Sequence, residues 1–252
     1  MTPSLPPTFL TRPIAHRALH DVAAGRPENS LAAVRAAISG GFGIEIDVQI
    51  SADDVAMVFH DDKLDRLTGA KGRVDAREAA DLGRIPLKGG SEGVPTLGQA
   101  LTLVEGRVPL LIEIKDQDGA LGEGVGPLEA AVAEDLGRYS GDVAVMSFNP
   151  HSMAAMQSFA PHIPRGLVTE RFPRLGWSVP RARRQELRSI PDYDRVGASF
   201  ISHDVGDLAS GHVARLKARG VPVLCWTVGS ARMEARARRI ADNVTFEGYV
   251  PG

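Results

Sequence analysis

Short runs of aliphatic and β-branched residues recur along the whole chain, separated by stretches with helical spacing. Eight such runs are strand candidates: "RPIAH" (12–16), "GIEIDVQI" (43–50), "VPLLIEIK" (108–115), "DVAVMSF" (142–148), "PRGLVT" (164–169), "RVGASFIS" (195–202), "VPVLCWTV" (221–228) and "NVTFEGYV" (243–250). Strand and helix patterns that alternate in this way are the signature of βα units and a parallel sheet. Eight units in 252 residues fit a closed (β/α)8 TIM barrel better than an open sheet, and one domain spanning 1–252 is expected.

The clearest helix is "NSLAAVRAAISGG" (29–41), with Asn29 or Ser30 as N-cap, Gly40-Gly41 as the stop and an apolar stripe of Leu31, Val34 and Ile38. The rhythm breaks from about 61 to 95, where "DDKLDRLTGAKGRVD" and "KGGSEGVPT" are rich in turn formers and charge. This reads as an insertion after the second strand, preceded by a short strand "VAMVFH" (55–60). A second irregular loop, 170–181, carries Pro173, Gly176, Trp177 and Pro180 and is a candidate for part of a lid.

Strict alternation in "GIEIDVQI" sets Gly43, Glu45, Asp47 and Gln49 on one face and Ile44, Ile46, Val48 and Ile50 on the other. In a barrel the aliphatic face packs on the outer helices, which aims two carboxylates inward. "PLLIEIK" repeats the device, with Leu111, Glu113 and Lys115 on one face. Three inward carboxylates repel one another and are costly to desolvate unless a cation neutralises them. An all-oxygen set favours Mg²⁺ or Ca²⁺ over Zn²⁺. The competing reading pairs Glu45 and Asp47 with Arg17 and Lys115 in a buried salt-bridge network.

Two histidines add chemistry, because His16 ends the first strand and His60 ends the short extra strand, so both should reach the C-terminal rim where such barrels place their active sites. With Arg17 and Lys115 for a phosphate, a cation for developing charge and two imidazoles as acid and base, the constellation suits phosphoryl transfer. His203, in "FISHD", is a further candidate for the rim, while His20, His151, His162 and His212 fall in loops or helices with no catalytic signal.

Composition constrains partners more than fold. The 43% hydrophobic and 24% charged fractions are those of an ordinary globular chain. A net charge of −2 offers no general attraction to nucleic acid or to an anionic membrane, so any anion site is local. The arginines of "RARRQELR" and "ARMEARARR" read as solvated helix faces. The single cysteine, Cys225, cannot form an internal disulfide and reads as a buried, unreactive thiol. No secretory signal pattern and no membrane-length apolar run is seen, so a cytoplasmic enzyme without integral membrane association is the simplest expectation.

In their order and spacing, these motifs resemble the glycerophosphodiester phosphodiesterase family. The run "HRALHDVAAGRPENS…GFGIEIDVQISADDVAMVFHDDKLDRLTG" is similar to that family's N-terminal signature, and "LLIEIK", "MSFNPHSM" and "VPVLCWTV" resemble its later motifs. The resemblance implies metal ligation by Glu45, Asp47 and Glu113, acid-base catalysis by His16 and His60, and phosphate binding by Arg17 and Lys115. It also implies that Trp226 walls the glycerol pocket, and the alternation of "VLCWTV" agrees by setting Trp226 inward and Cys225 outward. The small-molecule substrate would be a glycerophosphodiester, the cofactor a divalent metal, Mg²⁺ or Ca²⁺. Self-association through outer helices stays open, since no apolar stripe marks it.

Two departures from the family pattern stand out. Ala18 occupies a position where glycine is common, tolerable if the backbone there avoids positive φ. The C-terminal "DNVTFEGYVPG" lacks the usual Asp-Gly and Thr-Asp-x-Pro pattern, which puts the eighth strand in doubt. Competing functions are a lysophospholipase D or sphingomyelinase-D-like enzyme, which needs a greasy entrance near Phe172, Trp177 or Tyr193, and a non-catalytic metal-binding barrel. A sugar-phosphate isomerase fits poorly, since "VGSARM" and "EGYVPG" are not the phosphate-gripping turns such barrels use.

Overall fold

The computed structural model describes residues 2–251. In chain order the strands are β1 (Ile14–Ala15), β2 (Gly43–Ile50), β3 (Ala56–Val58), β4 (Leu110–Ile114), β5 (Val143–Ser147), β6 (Arg165–Thr169), β7 (Phe200–Asp204), β8 (Val223–Val228) and β9 (Asn243–Phe246). All but β3 pair in parallel, and β1 hydrogen-bonds to both β2 and β9, so the sheet closes into an eight-stranded (β/α)8 barrel. β3 runs antiparallel along β2, on the edge β2 also offers to β1, with Val48 opposite Val58.

The outward faces of the strands, including Ile44, Ile46, Val48, Ile112, Ile114 and Cys225, bury against the helices in the main core. Inside the barrel a second cluster joins Ile14, Leu111, Ala144, Val168, Phe200 and Leu224, and Leu5 and Phe9 stop its N-terminal end. Asn243 ties this plug down by donating to the carbonyls of Phe9 and Arg12. Gly166 is required inside, because a Cβ there would lie 2.4 Å from the Phe200 ring. The bottom of the barrel is thus dry and filled, which leaves only the C-terminal mouth for polar chemistry.

The helix Leu31–Gly40 forms where its pattern predicts, capped by Ser30, whose hydroxyl accepts from Ala33 N–H, and closed by Gly41 at φ +72°. Asn29 is not its cap; it sits at φ +59° and turns its side chain to the site. The segment after β3 carries a short helix, Ala79–Leu82, over its own small core of Phe59, Leu64, Val74, Leu87 and Val94.

Three expectations are corrected. The run 195–202 is not one strand: 195–199 lie outside it, with Gly197 at φ +56°, and β7 begins at Phe200. Its apolar residues are real core, but Val196 and Ala198 fill a turn rather than a ladder. The last candidate ends at Phe246, with Gly248 at φ +75° beyond it, yet it pairs on both edges, so the eighth barrel strand is intact. Ala18 does lie at positive φ (+63°), after Arg17 at +51°. A non-glycine residue there bears roughly 1–2 kcal/mol of strain, held by the hydrogen bond from Ala18 N–H to the Glu45 carbonyl.

Candidate active site

The parity of β2 and β4 brings Glu45, Asp47 and Glu113 together: one oxygen of each lies within 4.8 Å of the others, and all three residues are buried. Lys115, just past β4, donates to Glu113 at 2.6 Å and lies 2.8 Å from Asp47. Asn29 donates to the other Asp47 oxygen at 2.9 Å and accepts from the Asp47 N–H. Arg17 lies 3.6 Å from Asp47, while its backbone N–H, not its guanidinium, donates to Glu45.

The expected salt-bridge network therefore exists, but it leaves a gap. Among the described residues Glu45 makes no ion pair. Burial, with Asp47 and Glu113 as like-charged neighbours, pushes its carboxyl well above the ordinary range. Burial acts the same way on Asp47, but Lys115, His60 and Arg17 outweigh it and hold that carboxyl well below its ordinary value. Desolvation alone would depress Lys115; Asp47 and Glu113 raise it instead, so its ammonium stays charged. A hard divalent cation on this oxygen set would remove the cost at Glu45, which is the sense in which these residues fit one.

The two histidines flank the same edge of β2, one after β1 and one after β3. His16 Nδ1 lies 2.6 Å from Glu247, the first residue beyond β9, and His20 approaches the same carboxylate at 3.7 Å. His60 Nδ1 lies 2.7 Å from Asp61. An ionised carboxylate only accepts, so each Nδ1–H donates and each Nε2 is left for proton transfer. The His16 bond holds Glu247 well below the ordinary carboxylate range. Asp61 is lowered too: His60 and Arg66 outweigh its burial.

Arg66 is the piece the sequence did not single out. Its guanidinium forks to Asp61 at 2.7 and 2.8 Å and to Glu28 at 2.8 and 2.9 Å, and Glu28 in turn accepts from Arg17 at 2.7 Å. A chain of charge-assisted bonds thus runs from His60 through Asp61, Arg66 and Glu28 to Arg17, whose guanidinium lies 3.6 Å from Asp47 without a hydrogen bond to it. Glu28, Asn29 and Arg66 all lie within the quoted motifs, but neighbours in sequence did not reveal their partners.

A cleft of about 890 Å³ opens beside this cluster. His60, Glu113 and Lys115 line it, together with Asp61 and Arg66 from the segment after β3 and Trp177 from the 170–181 loop; His16, Arg17, Glu45, Asp47 and Trp226 do not. Trp226 shares the inner cluster and packs edge-on to Phe148 at 5.5 Å, its indole N–H donating to the Ser202 carbonyl. His203 is not at the rim. It has the parity of Ile201, is 1% exposed and shares a 2.7 Å hydrogen bond with Thr169.

The model of the glycerophosphoryl diester phosphodiesterase family matches residues 16–245. The chain belongs to this family. Similar proteins include YhdW of Bacillus subtilis, 28% identical over 88% of each chain, and the glycerophosphodiester phosphodiesterase of Caldanaerobacter subterraneus, 29% identical over 80% of each. Among solved structures, a phosphodiesterase of Oleispira antarctica in complex with the product sn-glycerol-3-phosphate superposes with a TM-score of 0.75 at 25% identity, covering 95% of this chain and 94% of that one. As a member of the family the chain is an enzyme, a phosphoric diester hydrolase. No helix among the described residues is long and apolar enough to cross a membrane.

Proposed function

We propose that this chain hydrolyses small glycerophosphodiesters to sn-glycerol 3-phosphate and an alcohol, using His16 and His60 for proton transfer beside a divalent cation held by Glu45, Asp47 and Glu113. The observation that carries the reading is the pairing of two carboxylate-oriented imidazoles with a buried acidic cluster that its own cations do not neutralise. When bound, the cation supplies charge stabilisation for the phosphoryl oxygens. Lys115 and Arg17 add fixed positive charge on the same side, and Arg17 is braced by Glu28. One histidine removes the proton of the nucleophile through Nε2, and the other protonates the departing alkoxide through its own; attack by water gives glycerol 3-phosphate directly, and attack by the neighbouring glycerol hydroxyl gives a cyclic phosphate that water then opens. Trp226 borders the glycerol moiety. Each imidazole is oriented by one carboxylate, Glu247 for His16 and Asp61 for His60, and the acid and base roles are assigned to the pair.

The lipid-substrate alternative gains less. Of its three greasy-entrance candidates, Phe172 and Tyr193 are buried, and only Trp177 lines the cleft.

The test is release of glycerol 3-phosphate from glycerophosphocholine and glycerophosphoethanolamine with Mg²⁺ or Ca²⁺, then with chelator, for the wild type, His16→Ala and His60→Ala. Each substitution is expected to cost at least about a hundredfold in kcat. Release that survives chelation or either substitution overturns the assignment; faster turnover of lysophosphatidylcholine would favour the lipid reading.

A further inference from the structure

The segment 170–188 carries six arginines and two glutamates, a local charge of +4 in a chain whose total is −2. Both acids are engaged within it, Glu170 by the Trp177 indole and Glu186 by Arg183. Arg184 is also spent internally, donating to the carbonyls of Val179 and Phe172. Arg171, on the same groove, pairs with Asp207 outside the segment, and three guanidiniums remain: Arg174, Arg181 and Arg188 are exposed, share that shallow groove and make no side-chain hydrogen bond or ion pair among the described residues.

The same loop holds Leu175, 89% exposed and the most exposed large apolar side chain among the described residues. Its neighbours do not share that exposure. Phe172 and Val179 are buried in a small cluster with Leu121 and Leu187, against which Trp177 packs. The loop is therefore pinned from within and lifts one apolar tip between the arginines. Gly176, Trp177 and Ser178, next to that tip, form one wall of the catalytic cleft.

We infer that this arginine-rimmed loop is a docking surface for an anionic phospholipid bilayer, with Leu175 entering the interfacial region and the cleft mouth held beside the membrane. Charge selects the partner class, and the apolar tip favours a bilayer over a nucleic acid, whose phosphates offer such a side chain nothing to enter. The inference does not depend on which diester is cleaved.

The test is co-sedimentation of the full chain with vesicles of phosphatidylcholine alone and of equal parts phosphatidylcholine and phosphatidylglycerol. Binding is expected to the anionic vesicles only and to weaken as salt rises. Each arginine is worth roughly fivefold in partitioning, so the triple variant Arg174→Gln, Arg181→Gln, Arg188→Gln should bind on the order of a hundredfold less. Leu175→Ser should lose roughly tenfold. Both variants should keep wild-type turnover on glycerophosphocholine, which shows that they are folded. Equal binding to the two vesicle types, no binding to either, or an unchanged triple variant overturns the inference. So does tighter binding to a random RNA than to anionic vesicles.

Discussion

Removing Arg66 tests whether the bonded chain behind the histidine matters to the chemistry. Arg66→Ala deletes four charge-assisted bonds at 2.7 to 2.9 Å and releases both Asp61 and Glu28. The side chain is 47% exposed, so solvent screening limits the stability effect to about 1 kcal/mol per carboxylate partner, a fall of several degrees in Tm for a chain of this size. Catalysis should suffer differently. Deleting a positioned acid-base group costs about 10²- to 10⁴-fold. Arg66→Ala only loosens His60, through Asp61, and Arg17, through Glu28, so kcat should fall about 10- to 100-fold, or roughly 1.4 to 2.8 kcal/mol. KM should rise as well, by less than kcat falls, because the loosened Arg17 is a proposed phosphate ligand. Arg66→Lys should recover little, since an ammonium cannot fork to two carboxylates. Asp61→Asn combined with Arg66→Ala should cost scarcely more than the worse single variant. Steady-state kinetics on glycerophosphocholine decide it: a kcat within about twofold of wild type in a folded Arg66→Ala protein would refute the reasoning.

Other consequences follow from the same geometry. Because the folded state holds Glu45 above its ordinary pKa, ionising it at neutral pH opposes folding; Glu45→Gln should raise Tm in chelator, and it should lack the Tm increase expected of the wild type in millimolar Mg²⁺ or Ca²⁺. An unchanged cation response would remove Glu45 from the ligand set. Asp61, Glu28 and Glu247 are held below their ordinary values, so each contributes stability that is complete above the unfolded pKa, about 4.5 for the glutamates, and is lost as pH falls below it. Thermal melts should therefore decline on the acid side, and Glu247→Gln should flatten that decline; identical profiles would contradict the His16 pairing. Burial pushes the Cys225 thiol up to about 12, so iodoacetamide at mildly alkaline pH should label it only after unfolding. Labelling of the native protein at the unfolded rate would show the outer face of β8 to be open.

Strand periodicity alone determined much of the fold and the site. The two-residue repeat of β2 and β4 committed Glu45, Asp47, Glu113 and Lys115 to one face, because a strand pointing its aliphatic residues at the helices has no other side for the rest. The same parity set Trp226 inward and Cys225 outward. Where the backbone leaves regular geometry, periodicity carries no information. It extended a strand through Val196 and Ala198, and it could not tell that Ala18 and Asn29 sit at positive φ, where Asn29 serves Asp47 instead of a helix.

Barrel closure decided the rest. Glu247 lies 231 residues from His16 and becomes its partner only because β1 and β9 are adjacent. Arg66 meets Glu28 across 38 residues, where the segment after β3 folds over the mouth. His203, the weakest of the three histidine candidates after a strand, is the exception, since local parity and not closure turns it toward the helices. Which residues face inward is a local property of the chain; which inward residues share a proton, a charge or a cation depends on closing the sheet, and no local pattern encodes that.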